Sequence, residues 1–272
     1  MVKLQPRLWV GVGLSVLAGG TVLAADTATP WHQNGAIAMQ VAQGGEGGEG
    51  GEGGEGGEGG VSAEDAAKDP VAYISALDVT AAHYHAGLAA YKAGRHQAAG
   101  EMFAHPISEI YIDLEPVFTA QGAKPFQEEM SKASEVALGE APIAQVEKAV
   151  AAVLSALDAT AAKAPKGKDS AKAVQARLLA GMLERAARQY RSASANTEFE
   201  PYLDGYGFAI TARVRSEALV KAGVPLPAEV TAAIDLLLKA YPTALRPATL
   251  PVALDALSVQ TSKAQLALSR VR

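Results

Sequence analysis

Apolar side chains recur every three or four residues through most of the chain after residue 61, the spacing that places them on one face of an α-helix. Asp69 followed by Pro70 has the form of a helix N-cap with a first-turn proline, and Gly94 has the form of a helix end. We therefore predict a helix between Pro70 and Gly94. Its apolar stripe consists of Ile74, Leu77, Ala81, Tyr84, Leu88 and Tyr91.

The same periodicity and the same kind of punctuation continue to the C terminus. No run of alternating β-branched residues is present, so no sheet is predicted. The predicted fold class is all-α, an antiparallel helical bundle of about 7–9 helices. The further helices are expected from His96 to His105, after Pro106, after Pro125, over 142–163, from Ser170 to about Ser194, over about 208–222, from Pro227 to Ala240, and from about Leu250 onward.

The first 25 residues have the pattern of a secretory signal peptide. Lys3 and Arg7 form a basic start, residues 8–24 are apolar, and the small residues Ala24 and Ala25 offer a cleavage point. A permanent membrane anchor is the alternative, although the apolar run is glycine-rich and shorter than the ~20 residues of a comfortable span. We expect a periplasmic or secreted protein without stable membrane insertion after signal cleavage.

Residues 26–61 are predicted to be disordered, and residues 62–272 to form one all-helical domain. Within the first segment, residues 44–60 are five Gly-Gly-Glu triplets closed by two glycines. This stretch has no apolar group to bury, and glycine has the largest backbone entropy to lose on folding. Weak calcium binding by the glutamates is the alternative, but nothing there would hold the carboxylates in a cage.

Composition and charge remove several function classes. The chain has no cysteine, which excludes disulfide scaffolds, thiolate metal sites, iron–sulfur clusters and cysteine nucleophiles. Residues 61–272 hold 22 of the 24 basic and 23 of the 29 acidic side chains, so the predicted domain is nearly neutral. It has no basic excess that would favour nucleic acid as a partner.

Histidine is concentrated in one stretch of the sequence. Four of the five histidines lie between residues 83 and 105, namely His83, His85, His96 and His105. If the chain folds back at Gly94 into an antiparallel helical hairpin, His83 lies eleven residues before the turn and His105 eleven residues after it. The two would then lie at the same level on helices whose axes are ~8–10 Å apart.

Five side chains of this hairpin are candidate metal ligands: His83, His85, Glu101, His105 and Glu109. The last three are spaced by four, so on a continuous helix they share one face, and bundles build metal sites from carboxylate and imidazole groups on facing helices. His83 and His85 are about 200° apart around their helix. His85 lies near the edge of the apolar stripe and is the expected inward ligand, whereas His83 would face another helix or the surface.

Pro106 leaves a second interpretation open for the same residues. Proline disfavours helical geometry at the residue before it, so His105 could instead cap the next helix, with Glu109 in the capping-box position. The histidines would then have structural roles only. If a metal binds, nitrogen and oxygen ligands suit a divalent transition metal such as Zn, Fe, Mn or Cu.

A second candidate region is the aromatic stretch 197–215, interpreted as a break between helices from Glu198 to Gly207. It carries the aromatic residues Phe199, Tyr202, Tyr206 and Phe208 together with the acids Glu198, Glu200 and Asp204. This composition fits either an aromatic corner between helices or the rim of a pocket or partner surface.

Residues 83–123 resemble a group of uncharacterised exported helical proteins of Gram-negative bacteria. The resemblance is carried by His83, by Tyr91 and Gly94 in a Tyr-x-x-Gly turn, and by a His-Pro-x-x-Glu-x-Tyr block at 105–111. It implies export and an all-helical fold but no activity. A looser similarity to imelysin-like periplasmic proteins fails at their Gly-x-His-x-x-Glu motif, where this chain has Ala81 and Ala86.

Taken together, these patterns predict an exported helical binding protein that coordinates a transition metal through the 83–109 cluster. The alternative is a structural or protein-interaction bundle that docks a periplasmic protein and holds no metal. We predict no enzyme activity, since the chain contains no P-loop, nucleophile elbow or His-Glu-x-x-His motif. An enzyme that uses the same residues as acid and base is a further alternative.

Overall fold

The computed structural model describes residues 61–272, and all regular structure in that range is helical. Apart from Val61, the predicted signal peptide and disordered segment lie outside the described residues. The helices are α1 (Ala63–Lys68), α2 (Pro70–Lys92), α3 (His96–Pro106), a π-helical segment (Ile107–Tyr111), α4 (Ile112–Ala120), α5 (Gln127–Leu138), α6 (Ile143–Ala161), α7 (Ala171–Ala195), α8 (Glu200–Lys221), α9 (Ala228–Ala240) and α10 (Leu254–Leu268).

The predicted helical bundle is confirmed for this range. Helix α3, the π-helical segment and α4 follow one another without a gap and form one continuous helix. Counted in this way, residues 61–272 form nine helices. Helices α2 and α3 pack against each other, as do α7 and α8, and α2 also contacts α6, α7 and α8. No helix of the described range combines the length and the apolarity that crossing a membrane requires.

The helix ends follow the sequence signals closely. The Asp69 carboxylate accepts a hydrogen bond from the Val71 N–H at 2.8 Å, and Pro70 occupies the first turn of α2. Gly94 has a φ of +78°, a left-handed conformation that favours glycine after a helix end. Ser170 caps α7 by accepting from the Ala173 N–H at 3.1 Å.

The predicted break over 198–207 is wrong, because α8 already begins at Glu200. Gly205 and Gly207 lie inside this helix and allow close packing. A Cβ on Gly205 would collide with the ring of Tyr241, and a Cβ on Gly207 would collide with the carbonyl of Ala82 in α2. The pattern of a turn and the pattern of a close helix crossing are both rich in glycine, which is why the sequence favoured a break.

The chain also does not break at Pro106. His105 lies inside α3, Pro106 is its last residue, and the helix continues as the π-helical segment. The capping alternative for His105 is therefore wrong, since an N-cap lies outside the helix that it caps. Proline removes one hydrogen bond of the regular helical pattern, and π-helical turns are frequent at functional sites.

Gly207→Ala is expected to lower the free energy of unfolding by roughly 1–3 kcal/mol, the usual cost of overpacking a core. The added methyl meets the backbone of α2, which cannot rotate away as a side chain could. Gly181→Ala is the matched control, because a Cβ on Gly181 in α7 meets nothing within 4 Å and should stabilise the helix by roughly 0.5–1 kcal/mol. Denaturant unfolding measures both, and equal effects of the two changes would contradict this account of the α2–α8 crossing.

Candidate metal centre

The α2–α3 hairpin is held in register by aromatic contacts on its inner side. The Tyr84 hydroxyl donates to the Phe103 carbonyl at 3.1 Å, and the two rings stack with centroids 5.1 Å apart. Gly87 lies directly against the Phe103 ring. These contacts bring residues near 84 to the level of residues near 103, the antiparallel register predicted from the turn at Gly94.

Three of the predicted ligands meet at one point of this hairpin. His83, His105 and Glu109 each offer a ligand atom, and these three atoms all lie within 4.8 Å of one another. The two imidazole centroids are 6.4 Å apart, with the rings inclined at 74°. His83 comes from α2, His105 from the end of α3, and Glu109 from the π-helical segment.

The His83 imidazole is buried and oriented by the backbone of its own helix. Its Nδ1 lies 2.9 Å from the Val79 carbonyl oxygen, so Nδ1 carries the proton that is donated to this oxygen. The other nitrogen, Nε2, then carries the lone pair that a metal needs. Burial lowers the pKa of His83 to about 4, with smaller contributions from His105 and Arg185. The ring is therefore neutral at physiological pH.

The expectation that His85 is the inward ligand and His83 the outward one is reversed by the structure. His83 is only 8% exposed, whereas His85 is half-buried. The prediction assumed one packing face on α2, but 14 of its 23 residues are buried, because α3, α6, α7 and α8 all contact this helix. Burial and the nearby charge of Arg213 lower the pKa of His85.

Two more residues of the histidine stretch lie outside the three-ligand group. Glu101 is exposed and accepts a hydrogen bond from the Gln97 side chain at 2.7 Å. His96 stacks on Tyr91 at a centroid distance of 4.2 Å, and its Nδ1 is 4.0 Å from a Glu140 carboxylate oxygen. The structure therefore leaves His85 and Glu101 apart from the group formed by His83, His105 and Glu109.

A cleft of about 400 Å³ opens beside His83, between α7 and the first turns of α8. The α7 side is rich in hydrogen-bond donors, and the α8 side is rich in carboxylates. The acidic residues of the 197–215 stretch line this cleft, in agreement with the interpretation of that stretch as the rim of a pocket. The cleft is lined by Val79, His83, Arg185, Arg188, Gln189, Ser192, Glu198, Glu200, Pro201, Asp204 and Phe208.

Two residues near the group were not assigned to it from the sequence. The Glu200 carboxylate lies 3.6 Å from Nδ1 of His105, and the charge of Arg185 acts on His83. Arg185 is also 5.9 Å from the centre of the Phe208 ring. Both come from helices more than 75 residues further along the chain, so only the tertiary fold reveals them. In the sequence, the acidic residues over 198–204 were the one indication that this stretch could lie near a site.

The group is compact enough for its three side chains to be drawn onto one small cation. Ligand atoms about 2.1 Å from a tetrahedral ion are roughly 3.4 Å apart, and the three atoms here lie within 4.8 Å of one another, so binding would require the side chains to move closer together. Two imidazoles and one carboxylate also form the ligand set of open zinc sites, in which a fourth position takes water or another ligand. Of the three side chains of the group, His83 lines the cleft.

Comparisons of the chain with protein-family models, with curated proteins and with solved structures give no match.

Proposed function

We propose that this chain is an exported, periplasmic helical protein that binds one divalent transition-metal ion through His83, His105 and Glu109. The observation that carries the proposal is the convergence of two imidazoles and a carboxylate within 4.8 Å at a helix crossing. The signal-peptide pattern of residues 1–25 supports export. No enzyme activity is proposed.

The protonation state of His83 is the one that metal binding requires. A metal ligand must present a neutral imidazole, and the ring that does so is held by a hydrogen bond from its other nitrogen. His83 has both properties, since burial keeps it neutral and Nδ1 bonds the Val79 carbonyl. Nitrogen and oxygen ligands suit Zn, Fe, Mn and Cu(II), and zinc is the natural first probe.

Calorimetric titration of zinc into chelator-stripped protein is expected to give one binding site. His105→Ala and Glu109→Gln should each weaken zinc binding by more than about a hundredfold, because losing a direct ligand costs more than losing an outer partner, which costs 10–100-fold. Manganese, iron(II) and copper(II) titrations would then rank the metals.

The chain offers matched controls in the two candidate ligands that lie outside the group. His85→Ala and Glu101→Ala remove the same chemical groups from the same hairpin and should leave zinc affinity within about twofold of the parent. If the parent binds no metal, or if the controls lose as much affinity as His105→Ala, the proposal fails. Absence of metal binding by the parent would favour the interaction-bundle alternative.

A further inference from the structure

The carboxylate of Glu200 lies beside the group formed by His83, His105 and Glu109. Glu200 is the first residue of α8, and one of its oxygens lies 3.6 Å from Nδ1 of His105. It also lines the cleft, and its side chain is 57% exposed. Glu200 is not one of the three residues whose ligand atoms lie within 4.8 Å of one another.

In both histidines Nδ1 faces an oxygen acceptor outside the group. In His83, Nδ1 faces the Val79 carbonyl oxygen at 2.9 Å; in His105, Nδ1 faces the Glu200 carboxylate at 3.6 Å. A closure of somewhat under 1 Å would bring the second pair to ordinary hydrogen-bond distance. In both rings Nε2 then remains as the nitrogen with a lone pair.

We infer that Glu200 is a positioning residue of the metal site, which holds His105 with Nδ1 protonated so that Nε2 can bind the ion. This inference rests on the proposed function. A carboxylate that accepts the outer N–H of a ligating histidine fixes the tautomer and ring orientation and makes the ligand more basic. Helix α8 would thereby connect the cleft to the ion that the α2–α3 hairpin binds.

Zinc affinity is the first test. Glu200→Ala should raise the zinc Kd about tenfold or more, and Glu200→Gln, whose amide oxygen still accepts a hydrogen bond, should recover part of the loss. Glu198→Ala is the control, because Glu198 is an acid on the same cleft wall. A change below twofold in Glu200→Ala, or an equal change in Glu198→Ala, would overturn the inference.

A second test needs no metal. Long-range proton–nitrogen NMR correlations of the metal-free protein show which ring nitrogen of His105 carries the proton. We expect the Nδ1–H form in the parent, a shift toward the Nε2–H form in Glu200→Ala, and partial return in Glu200→Gln. An unchanged tautomer would overturn the inference even if zinc binds. A parent that binds no zinc would overturn the proposed function, while these spectra still decide whether Glu200 orients the ring.

Discussion

Arg215→Met is expected to lower the free energy of unfolding by about 3–5 kcal/mol, the cost of leaving a buried charge without its partner. The Arg215 guanidinium of α8 bonds the Asp78 carboxylate of α2 through Nε, at 2.8 and 3.0 Å, and through Nη2. The Asp78 side chain is only 5% exposed. Burial raises the pKa of Asp78 while Arg215 opposes that rise, so removing the guanidinium leaves the carboxylate without its main stabilising charge.

Two variants separate the loss of the pair from the loss of a surface charge. Asp78→Leu combined with Arg215→Met removes both charges and should recover much of the stability, since apolar replacement of a whole buried pair is often neutral. Lys68→Met breaks the exposed pair with Glu64, where both side chains are more than 70% exposed, and should lower the free energy of unfolding far less than Arg215→Met does. Equal losses of unfolding free energy in Arg215→Met and Lys68→Met, measured by denaturant unfolding, would contradict this role of the buried pair.

The second large effect is a loss of stability in acid that originates at His83. Burial holds the folded pKa at about 4, whereas the unfolded chain has the ordinary value near 6.5. Above pH 6.5 both states are neutral and no contribution arises. As the pH falls from 6.5 to 4, only the unfolded state gains the proton, so the free energy of unfolding decreases by up to about 3 kcal/mol.

Denaturant unfolding between pH 7.5 and 4, with a chelator present, measures this effect in the metal-free protein. His83→Gln serves as the reference, because it retains a polar group that does not titrate while every other ionisable group is shared. The stability difference between the two proteins should shift by up to about 3 kcal/mol in favour of His83→Gln on acidification. Parallel pH profiles would show that His83 is not held neutral, and would remove the argument that its Nε2 is ready to bind a metal.

Many of the helices and several of their ends were predictable because they depend on local chemistry. The cap at Asp69, the left-handed turn at Gly94 and the start at Ser170 all follow from residues adjacent in sequence. The level of His83 with His105 was also predictable, because a short turn fixes the register of an antiparallel pair. Their rings lie 6.4 Å apart.

The misjudged features all depend on contacts between distant segments. His83 is buried because helices α7 and α8 cover a face of α2 that the hairpin alone would leave open. Gly205 and Gly207 mark a close crossing instead of a turn, which only the positions of Tyr241 and Ala82 reveal. Glu200 reaches His105 from 95 residues further along the chain. A single sequence does not show which residues of two distant segments will lie beside each other in the fold.

The most direct test of the proposed site is an anomalous difference map from crystals of the zinc-loaded protein, recorded on both sides of the zinc absorption edge. We predict one peak about 2.0–2.1 Å from a ring nitrogen of His83 and of His105, and about 2.0–2.2 Å from a carboxylate oxygen of Glu109. A zinc peak at another position, with these three side chains making no bond to it, would contradict the account.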